Sequence, residues 1–119
     1  MPWQVQSTHD YDRWLRSLTA DEQAEMLAKV VLLRANGPAL GRPHADTLSG
    51  SRHPNMKELR GKTATAQLRV AFAFDPNRSA ILLCGGEKQG VNQKRFYKTL
   101  ITNADQLFDI HLEKLAKKK

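Results

Sequence analysis

A small set of cations and one phenol give this chain its clearest chemical potential. Lys57 and Arg60 fall on one predicted strand, Arg69 on the next, Lys88 just after the strand that follows, and Tyr97 near the head of the last predicted helix. Lysine is a compact cation and arginine a planar fork that grips two phosphate oxygens at once. Together they can neutralise a phosphodiester backbone and the charge that grows on a phosphate during attack. Lys94 and Arg95, just before Tyr97, extend the set. A plainer reading stands beside this one, because cations on an exposed sheet face are mostly solvated or paired with acids. Tyr97, too, either packs on the sheet next to Phe96 or serves in base stacking or proton transfer, where nearby cations would favour a phenolate. Glu58 beside Lys57 and Glu87 beside Lys88 offer carboxylates as bases, but neighbours on a strand point to opposite faces, and surface charge is the simpler expectation for both. Glu58 and Arg60, two apart, share a face, so Glu58 is placed to orient Arg60.

Other constellations are weaker. Gly85-Gly86-Glu87-Lys88-Gln89-Gly90 is superficially like a phosphate loop but lacks the Gly-x-x-x-x-Gly-Lys-Ser/Thr order and its magnesium-binding hydroxyl, so nucleotide hydrolysis is unsupported. His9, His44, His53 and His111 are scattered without a His-x-x-x-His pair or a cysteine cluster, and His111 lies on an apolar stripe where a core histidine is expected. No metal and no cofactor are expected. The single cysteine, Cys84, can form neither an internal disulfide nor a multi-thiolate zinc site, which suits a reducing interior.

The elements that must position these residues follow from periodicity. Trp3-Gln4-Val5-Gln6 alternates as a short strand. Thr8 can cap a helix whose Tyr11, Trp14, Leu15 and Leu18 form one stripe. Thr19-Ala20-Asp21-Glu22 is a capping box opening a second helix, which Asn36-Gly37-Pro38 ends. Residues 39–55, rich in Gly, Pro, Ser, His and Arg without periodicity, read as one long loop whose basic residues are free to reach a ligand. Strands are expected at residues 56–60, 67–75 and 79–86, with Asp75-Pro76-Asn77-Arg78 as the turn of an antiparallel hairpin. In the central strand Leu68, Val70, Phe72 and Phe74 share one face. Arg69, Ala71 and Ala73 share the other, which is expected to look away from the bulk of the core with open space above it. A helix then runs to the end, with Ala104, Leu107, Phe108, His111, Leu112 and Leu115 on its stripe.

Composition sets the outer bounds. A chain of 119 residues, 40% hydrophobic and 26% charged, fits one α+β domain, 1–119, with a basic tail at 116–119, in the order β-α-α-β-β-β-α. No apolar run approaches the roughly 20 residues of a spanning helix, and the N-terminal residues lack the pattern of a secretory signal, so a cytoplasmic location without membrane contact is expected. The net charge is +7 and the isoelectric point about 9.9, which points to a polyanionic partner, nucleic acid first. Residues 1–41 carry four basic and five acidic side chains, residues 42–98 eleven and four, and residues 99–119 four and three. The excess therefore sits in the middle segment. Lys117, Lys118 and Lys119 are read as a solvated helix end favoured by the helix dipole.

Several segments carry a resemblance. Gly37-Pro38-Ala39-Leu40-Gly41-Arg42-Pro43, Asn55-Met56-Lys57-Glu58-Leu59-Arg60, Leu68-Arg69-Val70-Ala71-Phe72-Ala73-Phe74-Asp75-Pro76, Gly85-Gly86-Glu87-Lys88 and Arg95-Phe96-Tyr97 occur in that order, and Ala104-Asp105 with His111-Leu112 follow. The chain, over roughly residues 3 to 115, resembles the phage-type HigB-like branch of the RelE/ParE toxin superfamily. The resemblance implies a small twisted, antiparallel-rich sheet with the N-terminal helical hairpin on one face and the C-terminal helix nearby. It implies the toxin of a type II toxin–antitoxin pair, a metal-independent endoribonuclease that cuts mRNA in the ribosomal A site through attack of the nucleotide's own 2′-hydroxyl on the adjacent phosphate. A cognate antitoxin, HigA-like with a helix-turn-helix domain, is the implied partner. On this resemblance Arg69 stabilises the phosphorane, Lys57 and Arg60 hold the backbone, Lys88 assists the leaving oxygen, and Tyr97 stacks or acts as base. Arg52, Lys62, Lys94, Arg95 and Lys98 are the expected surrounding RNA contacts. Glu87 departs from the more usual Gly-Gly-Asp-Lys, though the carboxylate is kept, and the His and Asp used by some branches have no obvious counterpart. Two other readings remain open: a ParE-like, non-catalytic inhibitor of DNA gyrase, and a relative that has lost its toxicity.

Overall fold

The structure, a computed structural model, describes residues 2–88, 90 and 92–118. Gln89 of the glycine-rich segment and Lys119 of the basic tail lie outside the described residues. Strand β1 (Gln4–Ser7) leads into helices α1 (His9–Arg16) and α2 (Ala20–Asn36) and a 3-10 turn (Gly37–Ala39). Then come β2 (Ala45–Thr47), β3 (Lys57–Lys62), β4 (Gln67–Phe74), β5 (Ser79–Glu87) and α3 (Gln93–Lys117). The strands form one sheet in the order β1-β5-β4-β3-β2. β1 runs parallel to β5, and the other neighbours are antiparallel.

Local chemistry starts and stops the helices where the sequence requires. The Thr8 hydroxyl accepts from the Tyr11 amide at 3.0 Å and donates to the Leu83 carbonyl at 2.6 Å, so one side chain caps α1 and ties it to β5. Both halves of the capping box at α2 form: Glu22 N–H to Thr19 Oγ1 at 3.2 Å and Thr19 N–H to Glu22 Oε1 at 2.9 Å. Gly37 closes α2 with φ +57°, and a Cβ there would stand 2.2 Å from Trp3 Nε1. Glycine is required at that position on both counts.

The sheet separates two cores. On one face α1 and α2 cover Leu59, Leu68, Val70, Phe72 and Leu82 with Tyr11, Met26 and Leu33. On the other, Leu100, Ala104 and Phe108 of α3 lie on Met56, Ala71, Ala73, Ile81, Leu83 and Cys84. β5 is buried from Ser79 to Cys84 because it is covered on both sides. A register shift beside Ala71 and Phe72, where Ala71 pairs with Cys84 but Phe72 with Leu82, leaves Leu83 as the extra residue and lets adjacent Leu83 and Cys84 both face the α3 core.

Two expectations are corrected. The face bearing Arg69, Ala71 and Ala73 is not open: Ala71 is 0% and Ala73 1% exposed beneath α3, and the alanines are small because a helix lies close above them. The segment expected as one long loop contains β2, whose Ala45, Asp46 and Thr47 pair with Leu59, Glu58 and Lys57. Three residues are too few to show alternation; the strand exists because the edge of β3 offers it partners. Beyond β2, Ser51, Arg52 and His53 of that segment are pinned to α3. Ser51 donates to Asp105, the Arg52 amide donates to Asp105 Oδ2 at 3.1 Å, and His53 Nε2 lies 2.8 Å from Asp109 Oδ1. His111 is a packed histidine as expected, stacked on Phe108 and 2.8 Å from Asp75 Oδ2.

Candidate functional site

Strand register, rather than sequence proximity, brings the polar groups together. Arg60 of β3 stands directly opposite Arg69 of β4, which stands opposite Gly86 of β5. In the next row Asp46 of β2 faces Glu58, which faces Ala71. Both rows lie on the face covered by α3. Gly86 makes room for the helix: a Cβ there would be 2.9 Å from the Phe96 ring. With Phe96 seated on that gap, Tyr97 in the first turns of α3 is directed across the sheet toward β3.

The centre of the cluster is Glu58, which is only 4% exposed. The Tyr97 hydroxyl donates to its Oε1 at 2.7 Å, and Arg69 Nε lies 3.4 Å from the same oxygen. Arg69 Nε also donates to the Tyr97 oxygen at 3.3 Å, and its Nη1 donates to the Leu68 carbonyl at 2.9 Å. Arg60 Nη2 donates to Glu58 Oε2 at 3.1 Å and to Asp46 Oδ2 at 3.2 Å. Asp46 also holds Arg42 Nε at 2.9 Å. Lys88 reaches in from beyond β5, its ammonium 5.8 Å from the centre of the Tyr97 ring, at cation–π range. Its amide donates to the Gln67 carbonyl at 2.8 Å, so the β4–β5 ladder fixes its backbone.

The surface-charge expectation for Glu58 is therefore wrong, while its orienting of Arg60 is seen directly. A carboxylate buried among two guanidiniums and a phenol is compensated on every side, the condition under which burial of a charge is tolerated. The phenolate expectation for Tyr97 also fails. Its pKa is raised, first by burial and then by the hydrogen bond to Glu58, with the Arg69 bond opposing. The cations expected to draw off its proton are neutralised by the carboxylate that holds it. Asp46 is held below the usual carboxylate range by the Thr47 amide and then by the Arg42 hydrogen bond.

The remaining predicted residues divide. Lys57 pairs with Phe72 in the β3–β4 register, which sets it on the face of the helical hairpin, away from Arg60, Arg69 and Tyr97. Lys94, Arg95 and Lys98 are exposed along the start of α3. Lys62 is exposed at the end of β3, and borders a cavity of about 350 Å³ together with Lys29, Arg60, Gln67 and Arg69. Arg52 is committed to the loop clamp, where its guanidinium donates to Asp109. Sequence reasoning missed Lys29 and Asp46. Lys29 carried one signal, its i,i+4 spacing from Glu25, and its ammonium lies 2.9 Å from His44 Nδ1. Asp46 carried none, since its role depends on β2. Among the described residues no group of three or more His, Cys, Asp or Glu could hold a metal ion, and no helix is long and apolar enough to cross a membrane. Two guanidiniums, an ammonium and a phenol in one cluster can bind a phosphate and move a proton.

Comparison with known proteins places the chain in a family and a fold. A family model described as phage-derived protein Gp49-like matches residues 13–109. HigB2 of Mycobacterium tuberculosis, named as a toxin, is 43% identical over 109 residues, 88% of this chain and 54% of that protein. The chain thus spans about half the length of HigB2. HigB3 of the same organism, also named as a toxin, is 47% identical over 95 residues, 80% of this chain and 81% of that protein. Among solved structures, a double mutant of the Escherichia coli toxin RelE in its free state gives a TM-score of 0.59 at 11% identity, covering 86% of this chain and 96% of that one. A chain of an archaeal RelE–RelB complex from Pyrococcus horikoshii gives 0.56 at 15% identity, covering 76% of this chain and 100% of that one. At these identities the two structures establish a RelE-like fold.

Proposed function

Since the chain belongs to the Gp49-like, phage-derived family and within it to the HigB group, we propose that it is the toxin of a type II toxin–antitoxin pair and a metal-independent endoribonuclease that cuts mRNA on the ribosome. The observation that carries this reading is the cluster in which Arg60 and Arg69 meet on Glu58 while Arg69 and Lys88 flank Tyr97. In the reaction the 2′-hydroxyl of a nucleotide attacks its own 3′-phosphate, the P–O5′ bond breaks, and the products are a 2′,3′-cyclic phosphate and a 5′-hydroxyl. Arg69 is assigned to the charge on the phosphorane and Arg60 to a neighbouring phosphate oxygen. The Lys88 ammonium gives a proton to the departing O5′. The Tyr97 ring stacks a base, and its hydroxyl lies beside the attacking oxygen. Lys57, on the opposite face, has no role in this site. The exposed Lys94, Arg95 and Lys98 contact flanking RNA. A helix-turn-helix, HigA-like antitoxin is the proposed partner, and the cytoplasm, where ribosomes are, the place of action.

The test is cleavage of a translated message in vitro, with and without ribosomes and in excess EDTA, with ends mapped to the nucleotide. Wild-type protein is expected to leave 2′,3′-cyclic phosphates in ribosome-bound message, undiminished by EDTA beyond its effect on the ribosome itself. Arg69→Ala is expected to cut about 100- to 1,000-fold more slowly, the usual loss when one preorganised charge-stabilising donor is removed. An unslowed Arg69→Ala variant, or a wild type that leaves messages whole, refutes the reading.

A further inference from the structure

We infer that Glu58 is a positioning residue that takes the proton of Tyr97 during RNA cleavage, so that the phenol acts as a relay between the 2′-hydroxyl and a buried carboxylate. The inference rests on the nuclease reading above and adds to it a group that does not touch RNA.

The geometry leaves little freedom. Tyr97 directs its hydroxyl hydrogen at Glu58 Oε1 over 2.7 Å, while Arg69 Nε, at 3.3 Å, occupies one side of the phenol oxygen. A phenol oxygen has two lone pairs, so one remains to accept a hydrogen bond from substrate. Glu58 is 4% exposed, which leaves its carboxylate no easy route to an RNA hydroxyl of its own. Its partners enter from every element packed around it: Asp46 of β2 opposite it in register, Arg60 of β3, Arg69 of β4 and Tyr97 of α3, with Lys88 on the far side of the phenol ring. A phenol that keeps its own proton is a poor base. One that hands that proton to a carboxylate as it receives another is a competent one.

The step balances as follows. As O2′ bonds to phosphorus, its proton passes to the Tyr97 oxygen, and the Tyr97 proton passes to Glu58 Oε1. The P–O5′ bond breaks and O5′ takes a proton from Lys88. Glu58 ends protonated and Lys88 neutral, and exchange with water restores both. Arg69, released from half of its ion pair when Glu58 is neutralised, keeps its full charge for the phosphorane. The same proton transfer thus supplies the base and strengthens the electrostatic stabiliser.

The experiment compares wild type with Glu58→Gln, Tyr97→Phe and the double variant in single-turnover cleavage as a function of pH, and titrates the tyrosines of each protein, two in wild type and Glu58→Gln and one in the others, by ultraviolet absorbance without RNA. Glu58→Gln is expected to lose at least about 100-fold in rate, in the range of general-base effects, and to lose the acid limb of the pH profile. Tyr97→Phe should fall similarly, and the double variant should fall no further, since the two side chains act as a unit. In the RNA-free titration Glu58→Gln should bring one phenol to lower pH, and Tyr97→Phe should delete that phenol. Glu58→Asp, which keeps the charge, should regain part of the rate.

A Glu58→Gln protein that cuts with the wild-type pH profile overturns the inference and leaves the nuclease reading standing. So does a slow variant whose phenol titration is unchanged, because its defect is then general. A wild type that does not cut RNA overturns both. Should Glu58→Gln not fold, Glu58→Asp and Tyr97→Phe carry the same two measurements, and a Tyr97→Phe protein with full rate overturns the relay.

Discussion

The guanidinium of Arg69 is a tethered group: Glu58 at 3.4 Å, the Tyr97 oxygen at 3.3 Å and the Leu68 carbonyl at 2.9 Å hold it on three sides. Holding a cation still before substrate arrives is what makes it effective on developing charge, because no reorganisation is required at the moment of reaction. The same tethering ties Arg69 to the fold. Arg69→Ala leaves the Leu68 carbonyl without that donor and Glu58 short of a cation, although Arg60 and Tyr97 still bond it. A loss of about 1–3 kcal/mol is expected, the cost of leaving a buried polar group partly unsatisfied, measured as a shift in urea midpoint at unchanged slope. Arg69→Lys should restore part of the stability through its charge, and little of the cleavage, because an ammonium cannot reproduce the fork.

Among the elements, α3 matters most to the site, since Tyr97 is placed by where that helix touches the sheet. Its seat is Gly86, where a Cβ would meet the Phe96 ring at 2.9 Å. Gly86→Ala touches none of the proposed catalytic groups, yet must lift the first turns of α3 or turn Phe96 aside. It is expected to cost about 1–3 kcal/mol, as overpacking does, and to slow cleavage by misplacing Tyr97. Gly41→Ala is the control, because a Cβ there meets nothing within 4 Å; it should leave urea midpoint and cleavage within error of wild type. If Gly86→Ala behaves like the control, the seat is not what positions the helix. The helical hairpin, in contrast, is held by caps within a few residues of each other, and such caps can be read from a linear pattern: Thr8 and Thr19 both act where their spacing placed them.

For the molecule as a whole, two buried acids make stability depend on alkaline pH. Burial pushes the Cys84 thiol from 9.0 to about 12, and burial with Asp12 nearby pushes the Tyr11 phenol from 10.0 to about 12. Both bind their protons more tightly folded than unfolded. Their contribution is therefore complete below about pH 9 and declines as pH rises from there toward 12. Urea unfolding at pH 7.5, 9 and 10.5 should show falling stability, and Cys84→Ala should flatten the first part of that decline; an identical slope in the variant would exclude the thiol. The sequence by itself determined the helices, the caps, the β4–β5 hairpin, the basic middle segment and the family, because capping, turn chemistry and side-chain alternation are properties of residues a few positions apart. It also named Arg60, Arg69, Lys88 and Tyr97. Only the tertiary structure decided that the Arg69 face is covered, that β2 exists, that Lys57 stands apart, and that Glu58 is a buried hub rather than a surface charge. Those outcomes depend on α3 docking across β4 and β5 and on β3 lending its edge to residues 45–47, contacts between groups far apart in the chain. Alternation says that a strand has two faces; which of them a helix covers is settled by packing.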